Sequence, residues 1–246
     1  MERAEYERMH AVEERMWWYR GLRVLAVQLL DRALADAKPD GAVLDAGCGT
    51  GGMLLALAAA LSQRPAIGLE RDALAAGMAA QKSRRPVMVG SANELPVRDG
   101  MLAAYVSLDV LCHRGVEPQE ALSEARRCLQ LGGVALINLP AYRWLLSAHD
   151  RRVHNARRFT RSQASALLRA HGFRVKRSTY WNTFLFPLML LRRLVANADD
   201  ESDVREFPGW LDRLFAATLA VERFLIMRGI SLPFGGSVMI VAARHE

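Results

Sequence analysis

The stretch Val43-Leu44-Asp45-Ala46-Gly47-Cys48-Gly49-Thr50-Gly51-Gly52 runs apolar to an acid, then sets glycines at alternate positions. An alanine- and leucine-rich stretch, Met53 to Leu61, follows at once. Strand, glycine turn and helix start, in that order, hold small anionic or nucleotide-bearing ligands at the edge of α/β sheets. Glycine allows the sharp turn and leaves no Cβ between backbone and ligand. The helix start adds unpaired N–H groups that favour a carboxylate or phosphate. The dinucleotide fingerprint reads G-x-G-x-x-G. Here Gly47, Gly49 and Gly51 read G-x-G-x-G behind Asp45.

That spacing resembles the first motif of the class I S-adenosylmethionine-dependent methyltransferases, in particular a bacterial small-molecule subgroup. The resemblance implies that Asp45 ends the first strand, while Gly47, Cys48, Gly49 and Gly51 wrap the methionine half of S-adenosyl-L-methionine. Glu70, with Arg71 after it, ends a second strand about 20 residues on, where an acid accepts from both ribose hydroxyls. NAD-binding proteins use the same device, so Glu70 alone does not separate the two cofactors.

Later segments separate them. Val89-Gly90-Ser91-Ala92-Asn93-Glu94-Leu95-Pro96-Val97 is similar to the family segment G-D-A-x-x-L-P-F, whose acid contacts the adenine amino group. Ser91 stands at the acid's position, with the backbone of Ala92 and Asn93 beside it. Val106 to His113 is similar to the next motif, commonly ending L-E-H; it carries Leu108 and Asp109 on the cofactor side, Cys112 in place of the acid, and His113. Trp17-Trp18-Tyr19-Arg20-Gly21-Leu22-Arg23 resembles a W-W-F/Y-R-G element that precedes the fold in the subgroup. There Tyr19, Arg20 or Arg23 would reach the methionine carboxylate, for which an arginine fork is suited. An amphipathic helix burying its tryptophans is the other reading.

Outward from these motifs, strands and helices alternate. Strands are expected at 42–46, 65–70, 86–89, 102–108, 133–138, 173–181 and 237–243. Helices are expected at 2–37, 53–61, 72–81 with Asp72 as N-cap, 117–129 opened by Pro118, and 160–171 capped by Thr160 or Ser162. Such alternation implies a parallel sheet with right-handed crossovers. The family adds a seventh strand running antiparallel beside the sixth. The expected fold is α/β: a Rossmann-like seven-stranded mixed sheet with helices on both faces. The chain reads as one domain, with a helical cap at 1–37 and lid or substrate insertions at 139–160 and 182–234. Long additions at the carboxyl edge of such a sheet cover ligands.

Hydrophobic residues are 51% of the 246, enough for a sizeable core. The N-terminus is charged, without an apolar signal segment. The longest aliphatic and aromatic run, Phe184 to Leu191, is short of a membrane span and contains Pro187. A cytoplasmic protein is expected. Cys48, Cys112 and Cys128 show no C-x-x-C pairing and read as reduced, buried thiols. The net charge of +7 suits nucleic acid, an anionic membrane surface, an anionic substrate or simple solubility. The arginines are dispersed, except for Arg151, Arg152, Arg157, Arg158 and Arg161.

Methyl transfer from a sulfonium is an in-line displacement that asks mainly for alignment and a dry pocket. A base is needed only for a nucleophile that arrives protonated. Candidates are His113 and, after the fifth strand, His149, Asp150 and His154, with Asp150 orienting a histidine. The segment is similar to a subgroup element P-A…S-x-H-D…H-x-x-R-R-Y-T, with Phe159 for the tyrosine. Asp150 with Arg157 and Arg158 can equally form a structural ion-pair network. No metal is expected, because the histidine spacing lacks the partners of a metal site.

The leading function is methyl transfer to a small hydrophobic, aromatic or lipid-like acceptor. The apolar stretch Asn182 to Arg193 could line its pocket, touch a membrane surface, make a dimer contact or lie in the core. The protein is read as a monomer or homodimer. An RNA or other nucleic-acid methyltransferase is the alternative, although base-amine methylation usually uses N/D-P-P-Y/F where this chain has Ser107-Leu108-Asp109-Val110. No nucleic-acid partner is expected on that ground. A non-catalytic S-adenosylmethionine-binding partner protein would keep the same glycines and Glu70.

Overall fold

A computed structural model of the chain describes residues 3–146, 150, 153–195 and 207–245, the side chains of 192–195 excepted. The seven strands are β1 (Ala42–Ala46), β2 (Ala66–Glu70), β3 (Val87–Val89), β4 (Leu102–Leu108), β5 (Leu129–Pro140), β6 (Phe173–Trp181) and β7 (Ser237–Arg244). They form one sheet in the order β3-β2-β1-β4-β5-β7-β6. Neighbours from β3 to β5 are parallel, and β7 runs antiparallel to both β5 and β6. The order reverses between β1 and β4. At such a switch point, at the carboxyl ends of the strands and above the glycine loop, sheets of this kind place their ligand crevice.

Both sheet faces are covered, which explains the near-continuous apolar runs of the central strands. Successive residues point to opposite faces. Val43, Val106 and Leu136 join one core with helices α2 (Trp17–Ala37) and α3 (Gly52–Ala60). Leu44, Tyr105 and Ile137 join the other with α5 (Pro118–Cys128) and α6 (Arg161–Ala170). Helix α4 (Ala73–Ser83) is capped by Asp72, whose carboxylate accepts from the N–H groups of Leu74 and Ala75. Thr160 and Gln163 cap α6 reciprocally.

Two expectations needed correction. The helix expected over 2–37 is broken into α1 (Arg3–Val12) and α2, so Trp17 opens a helix rather than sitting inside one. Met16 is extended, Glu13 is drawn to Thr50 and Lys82, and Asp212 accepts from the Trp17 N–H at 2.7 Å. Long-range polar contacts therefore override local helix propensity. The fifth strand, expected at 133–138, runs from Leu129 to Pro140. Its far end is lengthened by the antiparallel partner, which pairs Pro140 with Ser237.

The segment after β6 supplies α7 (Phe186–Val195) and α8 (Gly209–Met227). Helix α8 lies on α2. Trp17 meets Phe215 edge-on at 5.2 Å between ring centroids, and a Cβ on Gly21 would collide with Leu219. The glycine of the W-W-Y-R-G element thus makes room for Leu219 of α8. The polar stretch 197–206 and residues 147–149 lie outside the described residues.

Candidate functional site

The glycine loop crosses from β1 to α3, and the N–H groups of Gly47 and Cys48 bond the Leu69 carbonyl of β2. Gly51 is left-handed (φ +93°), and a Cβ there would come within 2.6 Å of the Ala79 backbone in α4. Helix α3 starts without a side-chain cap for its first N–H groups, and the Glu13 carboxylate stands against Gly52.

Glu70 ties the loop to the tip of β2. One oxygen accepts from the Gly49 N–H at 2.9 Å; the other accepts from the N–H groups of Arg71 and Asp72 and from the Tyr6 hydroxyl at 3.1 Å. Asp45 is buried beneath the loop, and its Oδ2 has no hydrogen-bond partner among the described residues. Burial first, then the charges of Glu70 and Glu13, push its carboxyl up to about 8. Glu13 is the third acid. It is buried, accepts from the Thr50 hydroxyl at 2.5 Å and pairs with Lys82. The Cys48 thiol is buried and pushed well up by that burial and by Asp45.

Arg23 reaches the same place from α2. Its Nη2 bonds Glu14 at 3.3 Å, while Nη1 is buried without a partner among the described residues. That Nη1 lies 2.8 Å from where a Cβ on Gly52, the first residue of α3, would stand. Tyr19 is half-buried, its hydroxyl pushed up by burial and then by the nearby charges of Glu13 and Asp109.

On the adenine side of the expected site, the Ser91 hydroxyl accepts from the Asn93 N–H, and Asn93 Oδ1 accepts from the Glu117 N–H at the start of α5. Ala92 is buried. Arg127 holds the Leu95 and Val97 carbonyls, and Glu124 takes the Leu95 N–H, so the Leu-Pro segment is clamped to α5. Arg71 reaches the Gly115 carbonyl at 3.4 Å.

At the tip of β4, Leu108 packs on the α2-side core and Asp109 turns left-handed (φ +58°). Asp109 Oδ1 accepts from Asn138 Nδ2 at 2.9 Å, and Asn138 Oδ1 accepts from Trp181 Nε1 at 2.7 Å. The tips of β4, β5 and β6 are thus linked by one polar chain. Burial pushes the Asp109 carboxyl up to about 6, with the Asn138 bond and the Arg158 charge opposing. Asn138 and Trp181 escaped the sequence reading, although a fully buried asparagine in an apolar strand was a signal that it has a partner.

Of the proposed acid–base residues, His149 lies outside the described residues. His113 is half-buried, and burial and the nearby His154 lower it to about 4. His154 is exposed and left-handed (φ +59°). Asp150 is buried, with both oxygens held by Arg158, whose Nη1 also bonds the Ala141 carbonyl. Arg157 bonds the carbonyls of His113 and Val116 and the Glu117 carboxylate. The Cys112 thiol donates to the Asp109 carbonyl and to Asn155. Among the described residues no group of three acids, histidines or cysteines could hold a metal, and no helix is long and apolar enough to cross a membrane.

Residues 44–137 match the family described as Methyltransferase domain. Malonyl-acyl-carrier-protein O-methyltransferase of Geobacter sulfurreducens is 28% identical over 190 residues, 70% of this chain and 66% of that protein. The chain spans 32% and 66% of the lengths of the first curated relatives it matches. Among solved structures, the chain bound to the Trm112 methyltransferase activator of Haloferax volcanii superposes with a TM-score of 0.60 at 20% identity, covering 99% of this chain and 95% of that one. Geranyl diphosphate C-methyltransferase of Streptomyces coelicolor, solved with S-adenosyl-L-homocysteine, gives 0.57 at 16% identity over 89% of this chain and 74% of that one. The chain has the class I S-adenosylmethionine-dependent methyltransferase fold.

Proposed function

We propose that this class I methyltransferase moves the methyl group of S-adenosyl-L-methionine to a small apolar or aromatic acceptor held at the tips of β4 and β5. The observation that carries the reading is the cradle around the glycine loop: Glu70 locked to the Gly49 N–H, with the unpaired Arg23 Nη1 at the start of α3. The donor set suits the cofactor at each end. Glu70 would hold the ribose hydroxyls, and Arg23 with the α3 N–H groups would hold the methionyl carboxylate. The acids Asp45, Glu13 and Glu70 crowd one loop, which favours a ligand carrying net positive charge. When bound, S-adenosylmethionine supplies a methyl group already activated on a cationic sulfur.

Asp109 is the residue here best placed to take a proton from an acceptor hydroxyl or amine. Asn138 fixes one of its oxygens, and the other makes no hydrogen bond among the described residues. A carboxyl raised to about 6 is ionised at neutral pH yet more basic than a free aspartate. His113, lowered to about 4 by burial, is neutral and only a weak base at neutral pH. Asp150 and Arg158 instead pair with each other beside the Ala141 carbonyl, and Arg157 ties the chain there to residues 113–117.

An apolar acceptor is favoured by the rings beyond the tip of β5. Tyr142 stacks on Trp144 and on Tyr180, and Phe186 touches Tyr142, Trp144 and Phe234. Trp144 is 63% exposed, so this aromatic wall is open to a ligand. The similar proteins are named for malonyl-acyl-carrier protein and for geranyl diphosphate.

Calorimetric titration with S-adenosylmethionine tests the reading. The protein should bind it, and Glu70→Ala and Gly49→Val should abolish binding while the far-ultraviolet spectrum is kept. Absence of binding by the unaltered protein defeats the proposal. Transfer of labelled methyl groups to the organic-soluble fraction of a cell extract, and not to its RNA, is the expected acceptor result.

A further inference from the structure

We propose that α1 is an internal stand-in for the cofactor, and that Tyr6, Met9 and Glu13 keep the cleft closed until the cofactor displaces them. The inference rests on the cleft being the cofactor site. Residues at i, i+3 and i+7 share one helix face, and the Glu13 N–H still bonds the Met9 carbonyl, so the three project together. With a rise of about 1.5 Å per residue they span roughly 10 Å of the crevice.

Each meets a group reserved for a different part of the ligand. The Tyr6 hydroxyl donates to Glu70 as a ribose hydroxyl would. Met9 sets its thioether against the glycine loop, its Cε 2.9 Å from where a Cβ on Gly49 would stand. Glu13 places a carboxylate at the start of α3, against Thr50 and Gly52 and beside the unpaired Arg23 Nη1. Hydroxyl, thioether and carboxylate thus follow the order ribose, sulfur, amino acid.

The contact is built to yield. Helix α1 has ten residues, of which only Glu5, Tyr6 and Val12 are buried, and a helix of that length is marginal without tertiary support. The Glu13 charge, although paired with Lys82, also bears on the buried Asp45 carboxyl. Cofactor affinity is reduced by the fraction of molecules in which α1 is seated.

Stopped-flow and equilibrium binding of S-adenosylmethionine to the unaltered chain, Tyr6→Phe and Met9→Ala, with hydrogen exchange over residues 3–12, tests this. Tyr6→Phe removes one hydrogen bond to a charged group and should bind about ten-fold more tightly, chiefly through faster association. Met9→Ala should shift the same way. Exchange over α1 should speed up on saturation with S-adenosylmethionine or S-adenosylhomocysteine. Unchanged or weaker binding by both variants, or slower α1 exchange in the complex, overturns the inference and leaves the cofactor reading standing. No binding by any of the three chains overturns both.

Discussion

The two ends of the crevice are built on different principles. At the β1–β2 end, Asp45, the glycine loop, Glu70 and Asp72 lie within one short stretch, and the loop is held by backbone N–H groups donating to Glu70 and Leu69. At the β4–β6 end many contacts are remote in sequence: Asp109 to Asn138 to Trp181, Glu222 to the Phe184 N–H, Asp212 to the Trp17 N–H. The first end is a local motif that any chain of this fold can carry. The second is a tertiary construction, and it is where the acceptor would be selected. The loop of a cofactor site can therefore be written in ten residues, whereas an acceptor site needs the rest of the chain.

The largest effect expected of any change falls at the second end. Asp150 and Arg158 are both buried and paired bidentately. Arg158→Met removes the bidentate cation from the buried Asp150 carboxylate and should lower stability by about 3–5 kcal/mol in urea unfolding. The double change Arg158→Met with Asp150→Leu should recover most of it, because the charge left behind causes the loss. S-adenosylmethionine affinity should hardly move in the double variant. A large loss of affinity there would show that the two ends are coupled.

The next effect falls where α2 joins the two ends. Gly21→Leu forces a side chain into Leu219 of α8 and should cost about 1–3 kcal/mol, as overpacking does. Gly77→Ala is the contrast. Gly77 is helical, exposed and has nothing within 4 Å of its would-be Cβ, so it should gain roughly 0.5–1 kcal/mol of stability. Thermal unfolding of the two variants should move in opposite directions.

What the sequence made legible follows the same division. The Asp72 cap, the Pro118 helix start and the Thr160 cap, which was expected at Thr160 or Ser162, all follow from local chemistry. The break between α1 and α2 does not, because Asp212 and Lys82 supply it from far along the chain. Glu13 and Tyr6 looked like ordinary members of a charged helix. Nothing in their neighbourhood announces that their partners are Thr50, Lys82 and Glu70. Ser91 and Cys112, where acids were expected, have local roles of their own: one accepts from a turn N–H, the other donates to Asp109 and Asn155.

The Asp45 carboxyl gives the first end its own pH signature. Its folded value of about 8 lies above the ordinary 3.8, so between those limits the native state holds a proton that the unfolded chain has released. Its contribution to stability therefore declines as pH rises from about 4 to about 8 and then levels. A positively charged ligand favours the ionised form. Binding of S-adenosylmethionine should thus tighten from pH 6.5 towards 8.5, by at most about ten-fold per pH unit, and release a proton. Calorimetry in buffers of different ionisation heat reads that proton, and binding with no proton release at pH 7 would show that Asp45 does not sense the ligand. Binding of uncharged S-adenosylhomocysteine should depend less on pH.

The smallest predicted effect separates two roles of one residue. Asp212 caps α2 through the Trp17 N–H and also pairs with Arg20. The Arg20 side chain is 43% exposed, so its pairing adds little in water. The cap stands at a helix whose own Met16 provides none. Asp212→Ala should cost about 1 kcal/mol and Asp212→Asn only a few tenths, because asparagine keeps the acceptor and gives up only the charge. Equal losses in urea unfolding would mean that the ion pair, and not the cap, holds α8 to α2. The outer end of the crevice would then weaken with added salt, as the inner one, fixed by backbone bonds, should not.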